Sequence, residues 1–334
     1  MPMHHCGKEQ VDSITTVTSK YYANKQIHLI TIREGEITMN IDSIKKICIL
    51  GAGNMGHQLA LLAALNGYKV SCTDISQDQL QKAQKFAENW VSGRIAQNKL
   101  DEETGKKALQ NLSFTPFLKE ATENVDFVIE AATEILAIKR KLFRELDELC
   151  PKHTILATNS SFLPSSLVAD VTNRPDKVCN MHFFNPGLIM KCVEVVKGPH
   201  TSEETAQITM ELANRLNKKP VLLNMEIPGF IVNRIVAAIS KEAFSLFDRG
   251  VASYEDIDSA IVNGLGHPMG PFRLADLTGI DLIYNIAMDT YRNNGDSDNL
   301  PSPAIVEKYI KGEWGQKRGK GFYNYNEKPE ASKP

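Results

Sequence analysis

Apolar residues along this chain follow two rhythms, and the change from one to the other divides it. From Lys46 onward, short β-rich runs alternate with longer stretches in which apolar residues return every three or four positions. Residues 47–50, 69–73, 125–130, 154–158 and 178–181 are the candidate strands, and 55–66, 78–97 and 136–149 are the helices between them. In the second helix Leu80, Ala83, Ala87, Trp90 and Val91 share the spacing of one buried face. Such alternation predicts an α/β doubly wound parallel sheet. Strands at 191–196 and 220–223, with a helix at 203–216, extend it.

After Pro228-Gly229 the pattern turns helical. Val232, Val236, Ile239, Ala243 and Leu246 mark a long amphipathic helix, followed by helical patterns at 254–263, 271–277, 280–291 and 303–311. No strand pair is evident there, so an all-helical C-terminal domain is expected. The expected division is an N-terminal extension at 1–44, an α/β domain at 45–227, a helical domain at 228–326 and a tail at 327–334. The first 41 residues lack the basic, apolar and small-residue order of a secretory signal. One strand-like run, 27–32, precedes Arg33-Glu34-Gly35-Glu36, and Met39 is read as the start, with the segment before it dispensable.

Composition narrows the function. The 334 residues suffice for two cores, and 42% hydrophobic with 23% charged residues is ordinary for a folded chain. A formal net charge of −2 removes any broad attraction to nucleic acid or to an anionic membrane. No apolar run approaches the roughly 20 residues that span a bilayer. None of the six cysteines forms a Cys-x-x-Cys pair, so small buried thiols, a reducing cytoplasm and no metal site are expected.

The first chemical motif is Gly51-Ala52-Gly53-Asn54-Met55-Gly56, which follows an apolar strand and opens a helix. In that context a G-x-G-x-x-G loop is specific for a dinucleotide. Its first glycine permits the turn, the second lets main chain approach the pyrophosphate, and the third lets helix pack on strand. The helix N-terminus then offers free N–H groups to the anion. Asp74 lies 74 − 53 = 21 residues beyond the central glycine, at the end of the second strand. A carboxylate there accepts from both ribose hydroxyls and repels a 2′-phosphate, and Ile75-Ser76 supplies no arginine to receive one. A Rossmann-like domain using NAD rather than NADP follows.

An enzyme that moves a hydride to or from an alcohol carbon also needs a base for the hydroxyl proton. His182 ends the strand at 178–181, and Asn159-Ser160-Ser161 ends the one at 154–158, both where the cofactor crevice of such a fold lies. Spacing alone does not separate a base from a structural histidine here. The local words go further. His182-Phe183-Phe184-Asn185-Pro186, Met190-Lys191-Cys192-Val193-Glu194-Val195-Val196 and Pro228-Gly229-Phe230-Ile231-Val232-Asn233-Arg234 closely resemble the L-3-hydroxyacyl-CoA dehydrogenase family. So do Asn159-Ser160-Ser161, His267-Pro268-Met269-Gly270-Pro271 and Lys317-Arg318-Gly319-Lys320-Gly321-Phe322-Tyr323. The resemblance runs from about Lys45 to Tyr325 and is strongest to stand-alone bacterial 3-hydroxybutyryl-CoA dehydrogenases.

That resemblance implies NAD-dependent, reversible oxidation of an (S)-3-hydroxyacyl-CoA, with a short acyl chain. It implies that His182 is the base and Glu194 its carboxylate partner, that Ser161 bonds the reacting oxygen and that Asn233 lies at the substrate. Glu134, Lys139, Asn159 and Asn185 match residues near the nicotinamide half, and Lys317 matches a lysine reaching across from the helical domain. Glu134 and Lys139 read equally well as a helix-surface pair. A homodimer through the helical domain is also implied, although packing within the domain explains the Val232–Leu246 stripe equally well. The chain departs from the family pattern in Gly187-Leu188, in Glu226 where an aspartate is usual, and in Arg273 where a glutamate is usual. None touches the His182–Glu194 pair, while Gly187-Leu188 bears on acyl preference. The rival readings are a relative acting on a free hydroxy acid or amino alcohol, and an idle NAD-binding relative.

Overall fold

The structure, a computed structural model, describes residues 40–326. The expectations for Met39, for the run at 27–32 and for the tail at 327–334 lie outside the described residues.

Eight strands form one sheet in the order β3-β2-β1-β4-β5-β6-β7-β8. They are β1 Lys46–Leu50, β2 Lys69–Thr73, β3 Leu112–Thr115, β4 Phe127–Glu130, β5 Ile155–Thr158, β6 Val178–Phe183, β7 Cys192–Val196 and β8 Lys219–Leu223. The first six run parallel. A correction to the all-parallel expectation comes at β7, which pairs antiparallel with β6, while β8 runs parallel to β7. Strand order reverses between β1 and β4, and a crevice opens at the carboxyl ends of strands at such a switch point. Ile47, Cys48, Ile49, Phe127, Val128, Leu156 and Ala157 are fully buried, as apolar strands covered on both faces should be.

Helices cover both faces: α1 Gly56–Leu65, α2 Gln77–Ala96, α3 Glu102–Gln110, α4 Leu118–Ala121, α5 Leu136–Leu149, α6 Ser166–Ala169 and α7 Glu203–Arg215. Side chains of Ser76, Asp101 and Ser202 cap α2, α3 and α7 by accepting a backbone N–H three residues on. The sequence pattern did not reveal α3 or β3. α3 fully buries only Gly105 and Ala108, adds the half-buried Leu109 and is otherwise polar, and β3 is a four-residue edge strand with mixed burial. Neither carries an apolar period long enough to be seen.

The helical segment comprises α8 Val232–Asp248, α9 Tyr254–Leu265, α10 Pro271–Thr278, α11 Ile280–Asn294 and α12 Pro303–Ile310. Its core gathers Ala243, Phe244, Ile257, Phe272, Ala275, Ile280, Ile305 and Phe322. The long stripe on α8 is covered only toward its C-terminal half, at Ala243 and Phe244. Ile235 and Val236 stay exposed.

Candidate active site

The glycine loop leaves β1 and turns into α1 at the switch point. Gly51 has φ +102, and a side chain on it would meet the Ala131 carbonyl of the β4–α5 loop at 2.7 Å. One on Gly56 would collide with the Gly51 carbonyl, so strand and helix approach as only glycine allows. By contrast, a side chain on Gly53 would meet nothing within 4 Å, which leaves the main chain open where a pyrophosphate must approach. Asp74, just past β2, closes the loop from the side: its Oδ2 accepts the Ala52 N–H at 2.8 Å and its Oδ1 the Ser76 N–H at 2.9 Å. An open glycine turn, a helix N-terminus and a carboxylate at the neighbouring strand end are the donor and acceptor set a dinucleotide needs, so these residues fit NAD.

Beyond the switch point, a polar network runs along the strand ends. Glu130, fully buried at the end of β4, accepts the Ala132 N–H at 2.9 Å through Oε1. Its Oε2 accepts from Lys139 Nζ at 2.5 Å and from Thr158 Oγ1 at 2.7 Å. Lys139 is 2% exposed, so the surface-pair reading of that lysine does not hold. The half-exposed Glu134 lies 3.7 Å from the same ammonium and accepts from Ser160 Oγ at 2.7 Å and the Ser161 N–H at 2.9 Å. Sequence reasoning passed over Glu130. The signal for Glu130 was an acid closing an otherwise apolar strand, which is costly unless paired.

His182 is a correction. It lies inside β6 rather than after it, and the antiparallel register places it directly opposite Glu194 on β7. Its Nδ1 meets Glu194 Oε2 at 2.9 Å and its Nε2 meets Ser161 Oγ at 3.0 Å. Both members of the pair are nearly inaccessible, at 3% and 1%. Phe184 packs edge-on to the imidazole at 4.6 Å, and Phe230 lies 5.4 Å away on another side. Burial pushes the Glu194 carboxyl up. The His182 ring and the Ile231 and Val232 amides more than offset this, holding it below the ordinary glutamate range. An ionised carboxylate locked onto one imidazole nitrogen leaves the other to exchange a proton with a group beside Ser161.

Asn159 Oδ1 accepts the Phe183 N–H at 2.8 Å, tying β5 to the end of β6. Asn185 follows in a loop with a cis Asn185–Pro186 bond, and its Oδ1 lies 3.4 Å from Gln58 Nε2 on α1. Asn54 and Met55 precede α1, and Asn233 opens α8 beside the residues that contact Glu194. Lys317 is not joined to this network among the described residues. Its ammonium pairs with Asp281 at 2.5 Å, under Trp314.

Comparison with known proteins gives the family. Residues 46–226 match the family model for the 3-hydroxyacyl-CoA dehydrogenase NAD binding domain, and residues 229–325 match that for the 3-hydroxyacyl-CoA dehydrogenase C-terminal domain. A "probable 3-hydroxybutyryl-CoA dehydrogenase" of Bacillus subtilis is 41% identical over 85% of this chain and 99% of its own. The human mitochondrial hydroxyacyl-coenzyme A dehydrogenase is 36% identical, over 84% of this chain and 91% of its own. A solved (S)-3-hydroxybutyryl-CoA dehydrogenase from Ralstonia eutropha superposes with a TM-score of 0.79 at 34% identity, covering 85% of this chain and 100% of that one. The chain belongs to the 3-hydroxyacyl-CoA dehydrogenase family and has its NAD-dependent dehydrogenase activity. Among the described residues, no helix is long and apolar enough to cross a membrane.

Proposed function

We propose that the chain interconverts short-chain (S)-3-hydroxyacyl-CoA and 3-oxoacyl-CoA, with His182 as general base and Glu194 as its orienting carboxylate. The observation that carries this is the alignment Glu194–His182–Ser161, at 2.9 and 3.0 Å, with His182 and Glu194 buried and Ser161 partly open to the crevice. Bound NAD supplies the hydride acceptor in the oxidative direction. Ser161 Oγ holds the 3-hydroxyl oxygen by a hydrogen bond, and His182 Nε2 takes its proton. Glu194 fixes the tautomer that leaves Nε2 free and stabilises the imidazolium that results. In the reductive direction His182 returns the proton to the same oxygen.

Gly51, Gly53, Asn54, Met55, Gly56 and Asp74 are assigned to the adenosine and pyrophosphate side, with Glu134, Lys139, Asn159 and Asn185 toward the nicotinamide. Lys317 is assigned a cofactor contact from the helical segment, and Asn233 a substrate contact. The printed names of the Bacillus and Ralstonia relatives support a four-carbon acyl group. A homodimer is supported by exposed Ile235, Val236, Leu265, Leu277, Leu282 and Ile286 on the helical segment. A cytoplasmic setting is supported by five unpaired cysteines among the described residues, four of them buried.

The test is consumption of NADH with acetoacetyl-CoA, run beside free acetoacetate. Turnover of the thioester and not of the free acid is expected. Failure with the thioester, or equal rates with both, removes the proposal.

A further inference from the structure

Glu194 has two oxygens with different partners. Oε2 faces His182, while Oε1 accepts both the Ile231 N–H and the Val232 N–H, each at 2.9 Å. Those amides belong to the last turn residue and the first residue of α8, where main-chain donors have no partner within the helix. The turn that aims them is unusual. Gly229 has φ +77, and Phe230, a non-glycine residue, has φ +49. Left-handed backbone at such a residue persists only where its surroundings over-determine it. Here the Phe230 ring is fully buried against Val196 of β7 and Leu223 of β8, and its other side faces the His182 ring.

We propose that this turn is a positioning and tuning element of the catalytic base, beyond the two side chains of the dyad and resting on the assignment of His182 as that base. The Phe230 ring keeps the imidazole seated. The two amides fix the plane of the Glu194 carboxylate and draw part of its negative charge toward α8. Less counter-charge then reaches His182, so the imidazolium is stabilised less than an unpinned carboxylate would stabilise it.

Few other charges complicate this. On β7, Cys192 is the ionisable neighbour of Glu194, its thiol raised by burial and then by that carboxylate. Glu134 reaches His182 only through the Ser161 main chain. Arg234, on α8, turns back to the Pro228 carbonyl at 3.4 Å.

The experiment replaces the Ile231–Val232 peptide bond with an ester in the full-length protein, which deletes the Val232 N–H and keeps the side chains. The ascending limb of kcat/KM against pH, for oxidation of (S)-3-hydroxybutyryl-CoA, should move roughly half a unit to higher pH. If that protein does not fold, Phe230→Gly serves instead, because it frees the turn while leaving both amides in the chain. The same direction of shift is expected. A limb coincident with the wild type in the folded variant overturns the proposal, since a purely structural turn would change yield or melting temperature and leave the limb in place. His182→Gln in the same assay separates the two levels. An inert His182→Gln beside an unmoved limb removes this inference alone, whereas an active one removes the dyad and this inference with it.

Discussion

The two ends of the crevice are made of different material. At the glycine loop, one stretch from β1 to Ser76 builds the site, and most of its working atoms are main-chain N–H groups closed off by a single carboxylate. At the dyad, segments around Ser161, His182, Glu194 and Ile231 converge, and the central working atoms belong to the side chains of His182 and Glu194, both removed from water. A main-chain site depends on the absence of side chains, so a single added Cβ can block it. A buried side-chain site depends on charge, so an isosteric change that leaves the shape intact can silence it.

That contrast can be broken at either end. The largest expected effect is at His182. His182→Gln keeps the shape and removes the base, so turnover should fall about 10³-fold while NADH affinity, read by fluorescence titration, stays within about twofold. Loss of NADH binding along with turnover would mean that the two ends are not separable.

Next come the glycines, which should differ from each other. Gly56→Val forces a side chain into the Gly51 carbonyl and should cost about 1–3 kcal/mol of stability along with cofactor binding. The Cβ of Gly53→Ala meets nothing within 4 Å, so the melting temperature should hold while KM for NAD rises about tenfold or more. Parallel melting losses in both would contradict an open cradle at Gly53. Asp74→Ala should lower the preference for NAD over NADP, measured as a ratio of kcat/KM, by about tenfold, since hydrogen bonds to a charged group are worth about 1.5–3 kcal/mol.

The smallest effect concerns the strut between the ends. Lys218 is buried, and its ammonium donates to the carbonyls of Gly187 at 2.5 Å and Met190 at 2.8 Å, pinning the loop that follows Asn185. Burial, and then Lys191, push its pKa down to about 8 from 10.5. In that window the unfolded chain holds a proton the folded one has released, so stability should rise as pH goes from about 8 to 10.5. The gain should be of order 1 kcal/mol in the wild type and absent in Lys218→Met, followed by urea melts.

The same contrast governs what the sequence alone revealed. The glycine loop, α1 and Asp74 were legible because their spacing is local and each residue type has one reason to be there. His182 and Glu194 are only 12 residues apart, yet spacing left the role of His182 open, and the family words supplied the pairing. What joins them is antiparallel register across a loop, and an expectation of parallel strands could not set it. The burial of Lys139 was ambiguous because α5 carries several lysines and arginines, and only the position of Glu130 inside the sheet selects one of them. The amides of Ile231 and Val232 left no trace, since main-chain donors have no letter in the sequence.

The central claim is that the ionised Glu194 supports His182 as the base. The most direct test is the pH dependence of (S)-3-hydroxybutyryl-CoA oxidation by Glu194→Gln. Without its counter-charge the imidazolium is less stable, so the ascending limb should move to lower pH and the plateau rate should fall. An ascending limb and plateau identical to those of the wild type would contradict the account.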